Sequence, residues 1–304
     1  LNSWGWGGGL IIDGNRFTGF NDSIYIRLEG NTYSGNIAPS GGSGLFIDEG
    51  ANVRLLNELI IKNRTTESFR DGAFYIDGPR GTSEARTEFE NCTIADNTGA
   101  DYSYGHAIFI EGESEVTGKN SIFSGNSSAD NNNDFYTDEG SSLALSYCVY
   151  VSGNQGPGNF NISKSMVAAD PGFADPGIND YALKSKSGRY SLLEGTWVTD
   201  NEDSPVLNTG NPASVYINEP FPNGNRVNPG HLGNTVYASK VQNISSGEIY
   251  QVGPSRTYKS LQEVAGLLNP GDVVQVDGDN TYPGGIEFQR PGTASEKIHI
   301  IGIR

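Results

Sequence analysis

GLFIDEG, residues 44–50, runs apolar and then turns acidic immediately before a glycine. The phrase returns four times: GLIIDG starts at residue 9, AFYIDG at 73, AIFIEG at 107 and DFYTDEG at 134. A phrase that recurs about every 30 residues marks a repeat architecture, and that reading takes precedence over any element-by-element assignment.

Working outward, each copy leads into two further short strands with a shared grammar. ANVRLLN (51–57) and ELIIKN (58–63), ARTEFEN (85–91) and CTIADN (92–97), EVTGKN (115–120) and SIFSGN (121–126) all close on Asn. The first unit keeps Asn36 but has Gly30 at the earlier place, and the fifth has Tyr147 there. Three short strands per unit, parted by Gly and Asn corners, describe a solenoid of parallel coils. One coil cannot bury its apolar face alone, whereas stacked coils can. Asn tolerates the left-handed backbone of a sharp corner. Amides one coil apart, about 4.8 Å, bond in a ladder along the stack.

Composition agrees. With 41 Gly, one Met and 18% charged residues in 304, the chain is poor in helix formers and long enough for a large core. A formal charge of −16, from 20 Lys and Arg against 36 Asp and Glu, opposes binding to a nucleic-acid backbone. No apolar run approaches the roughly 20 residues of a membrane-spanning helix. No basic-then-apolar leader opens the chain at Leu1, so any leader belongs upstream.

The phrases NCTIADN and NSIFSGN, each following a strand of the GLFIDEG type, resemble the coils of bacterial right-handed parallel β-helix proteins, the pectin-lyase-like group. Further on, ADPGFADPGINDYALKSKSGRY (169–190), SPVLNTGNP (204–212) and EPFPNGNRVNPGHLGNTVYASK (219–240) resemble the closing segment that follows such coils. The resemblance implies an all-β fold with three short strands per coil. For function it implies only a range, because the group spans polysaccharide lyases, glycoside hydrolases and adhesins. The expected organisation is coils over 1–154, a closing segment over 155–240 and a linker over 241–248.

Residues 249–304 read as the start of a second β-helix. Ser260 and Glu263 have capping-box spacing, Leu261, Val264 and Leu268 share a helical face, and Asn269-Pro270-Gly271 ends the helix. Strands are expected at 273–276, 285–288 and 298–301. By resemblance the short helix is the cap of a solenoid end. The segment either opens a second, longer solenoid or covers an open end of the first, where exposed strand edges invite pairing.

Cys92 and Cys148 occupy the same place in units two coils apart, about 9.6 Å, beyond the roughly 7 Å reach of a disulfide. Both are expected free and buried.

Strand alternation points Leu45 and Ile47 inward, Phe46 and Asp48 outward. Applied to every unit, it gives an outward column Ile11, Phe46, Tyr75, Phe109, Tyr136 beside a second column Asp13, Asp48, Asp77, Glu111, Asp138. Rings offer flat apolar surface to sugar C–H faces, and carboxylates accept sugar hydroxyls. Stacked carboxylates also suit a cation such as Ca²⁺, though no cofactor is required. Against this stands a structural reading, in which Asp-Gly and Glu-Gly simply turn the corner and outward rings only brace neighbouring strands.

Asp130, Asn132 and Asp134 have the alternate-oxygen spacing of a Ca²⁺ loop without its Gly or its closing Glu. His106 stands at a strand start, Tyr102 and Tyr104 stand in a loop, and the cations Arg54, Lys62, Arg64, Arg70 and Lys119 look scattered. No complete catalytic constellation is legible. The favoured function is a secreted or cell-surface binding scaffold for a polysaccharide or surface glycan. The alternatives are a polysaccharide lyase or glycoside hydrolase with catalytic coils beyond these residues, and a structural spacer.

Overall fold

The computed structural model describes residues 7–14, 26–67, 70, 72–78, 86–100, 105–128, 133–153, 156–168, 170–241, 247–289, 291–293 and 297–303. The chain divides into two compact units, Leu1–Gln242 and Asn243–Arg304.

The first unit is a solenoid of three parallel sheets. The first sheet stacks Leu10–Asp13, Leu45–Asp48, Phe74–Asp77, Ile108–Glu111 and Phe135–Thr137 in chain order. The second stacks Ile26–Glu29, Val53–Leu56, Arg86–Glu90, Glu115–Lys119, Ser142–Ser146 and Asn159–Ser163. The third stacks Thr32–Ser34, Leu59–Ile61, Thr93–Ala95, Ile122–Ser124, Val149–Tyr150 and Met166–Val167. The last strand of the second and of the third sheet lies beyond residue 154. The coils therefore run on to Val167, with Phe160 and Ile162 in register beneath Leu143 and Leu145. Residues 156–167, expected in the closing segment, belong to the stack, because the alternation of Asn159–Ser163 continues the inward apolar columns.

Inside, Leu45, Ile47, Leu55, Ile60, Phe74, Ile94, Ile108, Phe123 and Phe135 are fully buried in one core. Phe89 meets Phe74 and Phe123 edge-on, with centroids 6.4 and 6.0 Å apart. Gly118, inward in the next coil, leaves that ring its space: a Cβ there would lie 2.1 Å from Phe89 Cζ.

The two Asn columns do different jobs. At the first corner Gly30, Asn57, Asn91, Asn120, Tyr147 and Lys164 all have positive φ, between 51° and 71°. At the second corner the left-handed residue is the one before the Asn, at Gly35, Lys62, Asp96 and Gly125. The second-corner Asn side chains make the ladder: Asn36 Nδ2 donates to Asn63 Oδ1 at 2.9 Å, Asn63 to Asn97 at 3.0 Å, and Asn97 to Asn126 at 2.9 Å. Each rung is bound from both sides, since Asn97 Oδ1 also accepts the Asn63 N–H and Asn97 Nδ2 also reaches the Ile60 carbonyl.

Just past the first corner Glu58, Cys92 and Cys148 turn inward. Cys92 and Cys148 are free and buried, as expected. Their N–H groups donate to Ser121 and Ser165 hydroxyls at 3.0 and 2.9 Å, and burial pushes the Cys148 thiol up to about 12. Glu58 is 0% exposed and accepts from Asn31 Nδ2 at 3.2 Å; burial raises its carboxyl to about 7.

The closing segment runs back along the flank of the third sheet instead of sealing an end. Phe173, Tyr181, Leu183 and Val206 pack on the outward side chains Leu59, Ile61, Ile122 and Val149, forming a second core outside the coil. Polar bonds hold it at the corners. Asn57 Nδ2 donates to the Gly233 carbonyl at 2.8 Å, and Asn120 Oδ1 accepts the Asn211 N–H at 2.7 Å. Tyr181 Oη donates to Asp96 Oδ2 at 2.5 Å, and Lys62 Nζ to Asn179 Oδ1 at 2.6 Å. Within the segment the buried Glu219 Oε1 accepts the Asn228 and Asn234 N–H groups at 2.8 and 2.9 Å, and desolvation raises its carboxyl to about 8.

The second unit has its own core of Tyr250, Val252, Val264, Leu268, Val274 and Val276 under a parallel sheet of Ile249–Val252, Val273–Asp277 and His299–Ile303. The helix spans Leu261–Ala265, with Glu263 Oε2 accepting the Lys259 N–H at 3.0 Å. The strand expected over 285–288 does not form; Pro283-Gly284-Gly285, with Gly285 at φ 76°, breaks the extended run.

Candidate functional site

The outward face of the first sheet has the register expected of it. Ile11, Phe46, Tyr75, Phe109 and Tyr136 are Cα partners down the stack. Phe46 stacks on Tyr75 at 4.8 Å, Tyr75 meets Phe109 edge-on at 5.4 Å, and Phe109 stacks on Tyr136 at 4.4 Å. Yet the column is no platform. Phe46, Tyr75 and Phe109 are only 6%, 1% and 2% exposed, and Tyr136 is half-buried. The backbone entering each strand folds back over the rings. A Cβ at Gly42 would lie 2.7 Å from Phe46 Cβ, one at Gly72 2.8 Å from Phe109 Cβ, and one at Gly105 2.7 Å from Tyr136 Cβ. Outward from the coil is here still inward from solvent, so the expectation of an open aromatic face is corrected.

The acidic column is likewise engaged within the protein. Glu111, 4% exposed, accepts the Tyr75 hydroxyl and pairs with Arg70 Nη1 at 3.3 Å. Desolvation and the Glu111 charge push the Tyr75 phenol far up. Asp48 Oδ1 accepts the Glu49 N–H at 2.8 Å, and Asp138 accepts the Gly112 N–H at 3.2 Å and the Ser141 hydroxyl at 2.6 Å. Asp77 borders Gly112, whose added Cβ would lie 2.6 Å from Asp77 Oδ1. Asp13 alone of the column is exposed. These carboxylates turn corners.

Among the described residues no group of three or more His, Cys, Asp and Glu side chains is placed to hold a metal. Asp134 is 1% exposed and ends the Asn ladder: Oδ1 accepts Asn126 Nδ2 at 3.1 Å, and Oδ2 accepts the Val151 and Ser152 N–H groups, both at 3.1 Å. It replaces the amide missing from the fifth coil, so its oxygens, spaced like those of a Ca²⁺ loop, are taken up by protein donors, and it is buried rather than part of a solvated corner. Asp130, Asn132, Tyr102 and Tyr104 lie outside the described residues. His106 is buried, 2% exposed, at its strand start.

The open face belongs to the second sheet. Two outward columns stand in register there, Arg54, Glu88, Thr117, Ala144, Asn161 and Leu56, Glu90, Lys119, Ser146, Ser163. Between them runs a trough of about 370 Å³ whose floor is the strand backbone at Phe89, Gly118 and Leu145. It exists because the outward side chains shrink to Thr117, Ala144, Ser146 and Ser163 toward the later coils. The earlier end is walled by ion pairs, Arg54 Nε to Glu88 at 3.8 Å and Lys119 Nζ to Glu90 at 3.2 Å. The closing segment adds to one wall, where Ser214 Oγ lies 3.4 Å from Glu90 Oε1. Cations that look scattered in the sequence are thus placed: Arg54 and Lys119 in the trough, Arg70 on Glu111, Lys62 under the closing segment.

A parallel solenoid with a laterally docked cover and one open, polar sheet face defines a β-helix scaffold. Residues 5–167 match the right-handed β-helix region family, and the chain belongs to it. No curated protein and no solved structure matches the chain.

Proposed function

We propose that this protein is an extracellular or cell-surface binding scaffold for a neutral polysaccharide, held lengthwise in the trough of the second sheet. The trough itself carries the reading. Its volume falls in the range of ligand clefts, and its lining combines hydroxyls and amide (Thr117, Ser146, Asn161, Ser163) with two cations matched by two carboxylates. Such a surface has no net charge to attract a polyanion, and the −16 of the whole chain repels one. The side-chain columns step about every 4.8 Å, so an extended polymer lying along the stack meets a fresh pair of polar or small side chains at each coil. Both carboxylates in the trough are paired with cations, which supports holding over cleavage. No helix among the described residues is long and apolar enough to cross a membrane.

Ala144 is exposed, so Ala144→Trp fills the trough without touching the core. On a glycan array followed by calorimetry, wild type is expected to bind neutral oligosaccharides, and Ala144→Trp to bind about ten-fold or more weakly with unchanged thermal stability. Equal binding by the variant, or selective binding of uronates, defeats the proposal. Release of reducing ends moves it to a glycoside hydrolase.

A further inference from the structure

The closing segment carries a hairpin, Arg189–Ser191 paired antiparallel with Thr196–Val198, in which Tyr190 lies directly opposite Trp197. Their rings meet edge-on at 5.7 Å, and Tyr237 approaches Tyr190 at 4.9 Å. Lys240 Nζ sits 4.1 Å over the Trp197 ring. Trp197 is 36% and Tyr237 42% exposed, while Tyr190 is half-buried, and none of the three belongs to any of the three apolar clusters of the unit.

The cluster is held stiffly from below. Arg189 pairs with Asp180 at 2.8 Å and Asp200 at 3.0 Å, and all three side chains are at most 16% exposed. Lys240 N–H donates to the Gly188 carbonyl at 2.8 Å, and Ser185 Oγ to the Lys240 carbonyl at 2.5 Å. Rings left in water by a rigid frame are preorganised for stacking, with little rotamer freedom to lose on binding. The buried column of the first sheet lacks this property.

We infer that Tyr190, Trp197 and Tyr237 form a second carbohydrate site that takes the C–H face of a neutral pyranose. The rings supply the apolar surface, and their edges supply two phenol hydroxyls and an indole N–H for sugar oxygens. The Lys240 ammonium is engaged on the indole face, so it does not select an anionic sugar. Lipid is the weaker occupant. Leu192 and Leu193 at the hairpin turn are 64% and 78% exposed, but Glu194 follows them, and a carboxylate at the tip together with the charge of −16 opposes entry into a bilayer. The site uses none of the trough residues and stands or falls apart from them.

The chain has three tryptophans, so Trp4→Phe with Trp6→Phe leaves Trp197 as the sole indole reporter. That protein is titrated with cellohexaose, xylohexaose, mannohexaose and laminarihexaose, and separately with phosphatidylcholine vesicles. At least one hexasaccharide is expected to change Trp197 emission saturably, with a dissociation constant raised about ten-fold or more by Tyr237→Ala and unmoved by Ala144→Phe, which fills the trough without adding an indole. Far-UV circular dichroism verifies that the exposed Tyr237 substitution leaves the fold intact. The inference is overturned if no hexasaccharide changes the emission, if the change survives Tyr237→Ala but not Ala144→Phe, or if only vesicles shift it to the blue.

Discussion

The outer faces of the first and second sheets start from the same geometry and end as opposites. Both stack side chains in vertical register, and both point away from the coil. On the first sheet, backbone entering the strands closes against Phe46, Phe109 and Tyr136, and Phe46, Tyr75 and Phe109 are buried. On the second, Arg54, Glu88, Thr117 and Ala144 stay open along a trough. Pointing out of a coil and facing solvent are therefore separate properties, and the connecting backbone decides the second.

The largest effect expected from this contrast is on stability. Phe109→Ala removes a ring from a covered column and should cost about 3–5 kcal/mol in denaturant unfolding, whereas Thr117→Ala on the open face should stay within about 0.5 kcal/mol. Equal small costs would mean that the two faces are alike. Asn97→Ala tests the stack that both faces share. It strips partners from Asn63, Asn126 and the Ile60 carbonyl at once, for an expected loss of about 2–4 kcal/mol, and Asn97→Asp, which keeps the acceptor but turns a buried carboxylate oxygen on the Asn126 and Ile60 oxygens, should lose at least as much.

A smaller effect is readable as pH dependence. The Glu219 carboxyl, ordinarily near 4.5, titrates at about 8 in the fold, and Glu58 at about 7. A raised folded-state value means that the protonated acid is the form the fold prefers. Its stabilisation is complete below pH 4.5 and is lost as pH rises through 8. Urea midpoints should fall between pH 5 and pH 9, and Glu219→Gln should flatten that fall by a few kcal/mol or less. An unchanged slope in the variant would show that Glu219 is not the group responsible.

Much of this molecule is written in its sequence. The recurrence of GLFIDEG, the paired corners at Asn57 and Asn63 and their counterparts, and the equivalent places of Cys92 and Cys148 all follow from one period. The ladder was legible because it needs the same amide at the same place in each coil. Its last rung was not, because Asp134 reaches it from the entry of the first-sheet strand, a place that Gly44, Ala73 and Ala107 hold in the earlier coils, rather than from the corner column. The cover over the ring column left one faint signal, a glycine four residues before the outward position at Gly7, Gly42 and Gly105. The flank under the closing segment left another, the unbroken apolar run Leu59-Ile60-Ile61, which marks a strand buried on both faces.

The sequence by itself determined which residues share a column and which of them point into the coil, because backbone alternation and a regular period are local rules that every unit repeats. Only the tertiary structure decided which outward columns meet water. That depends on where the connecting segments come to rest: strand-entry backbone against the first sheet, the closing segment on the third, and, among the described residues, none across the trough of the second. A segment used once in the chain has no period by which to be read.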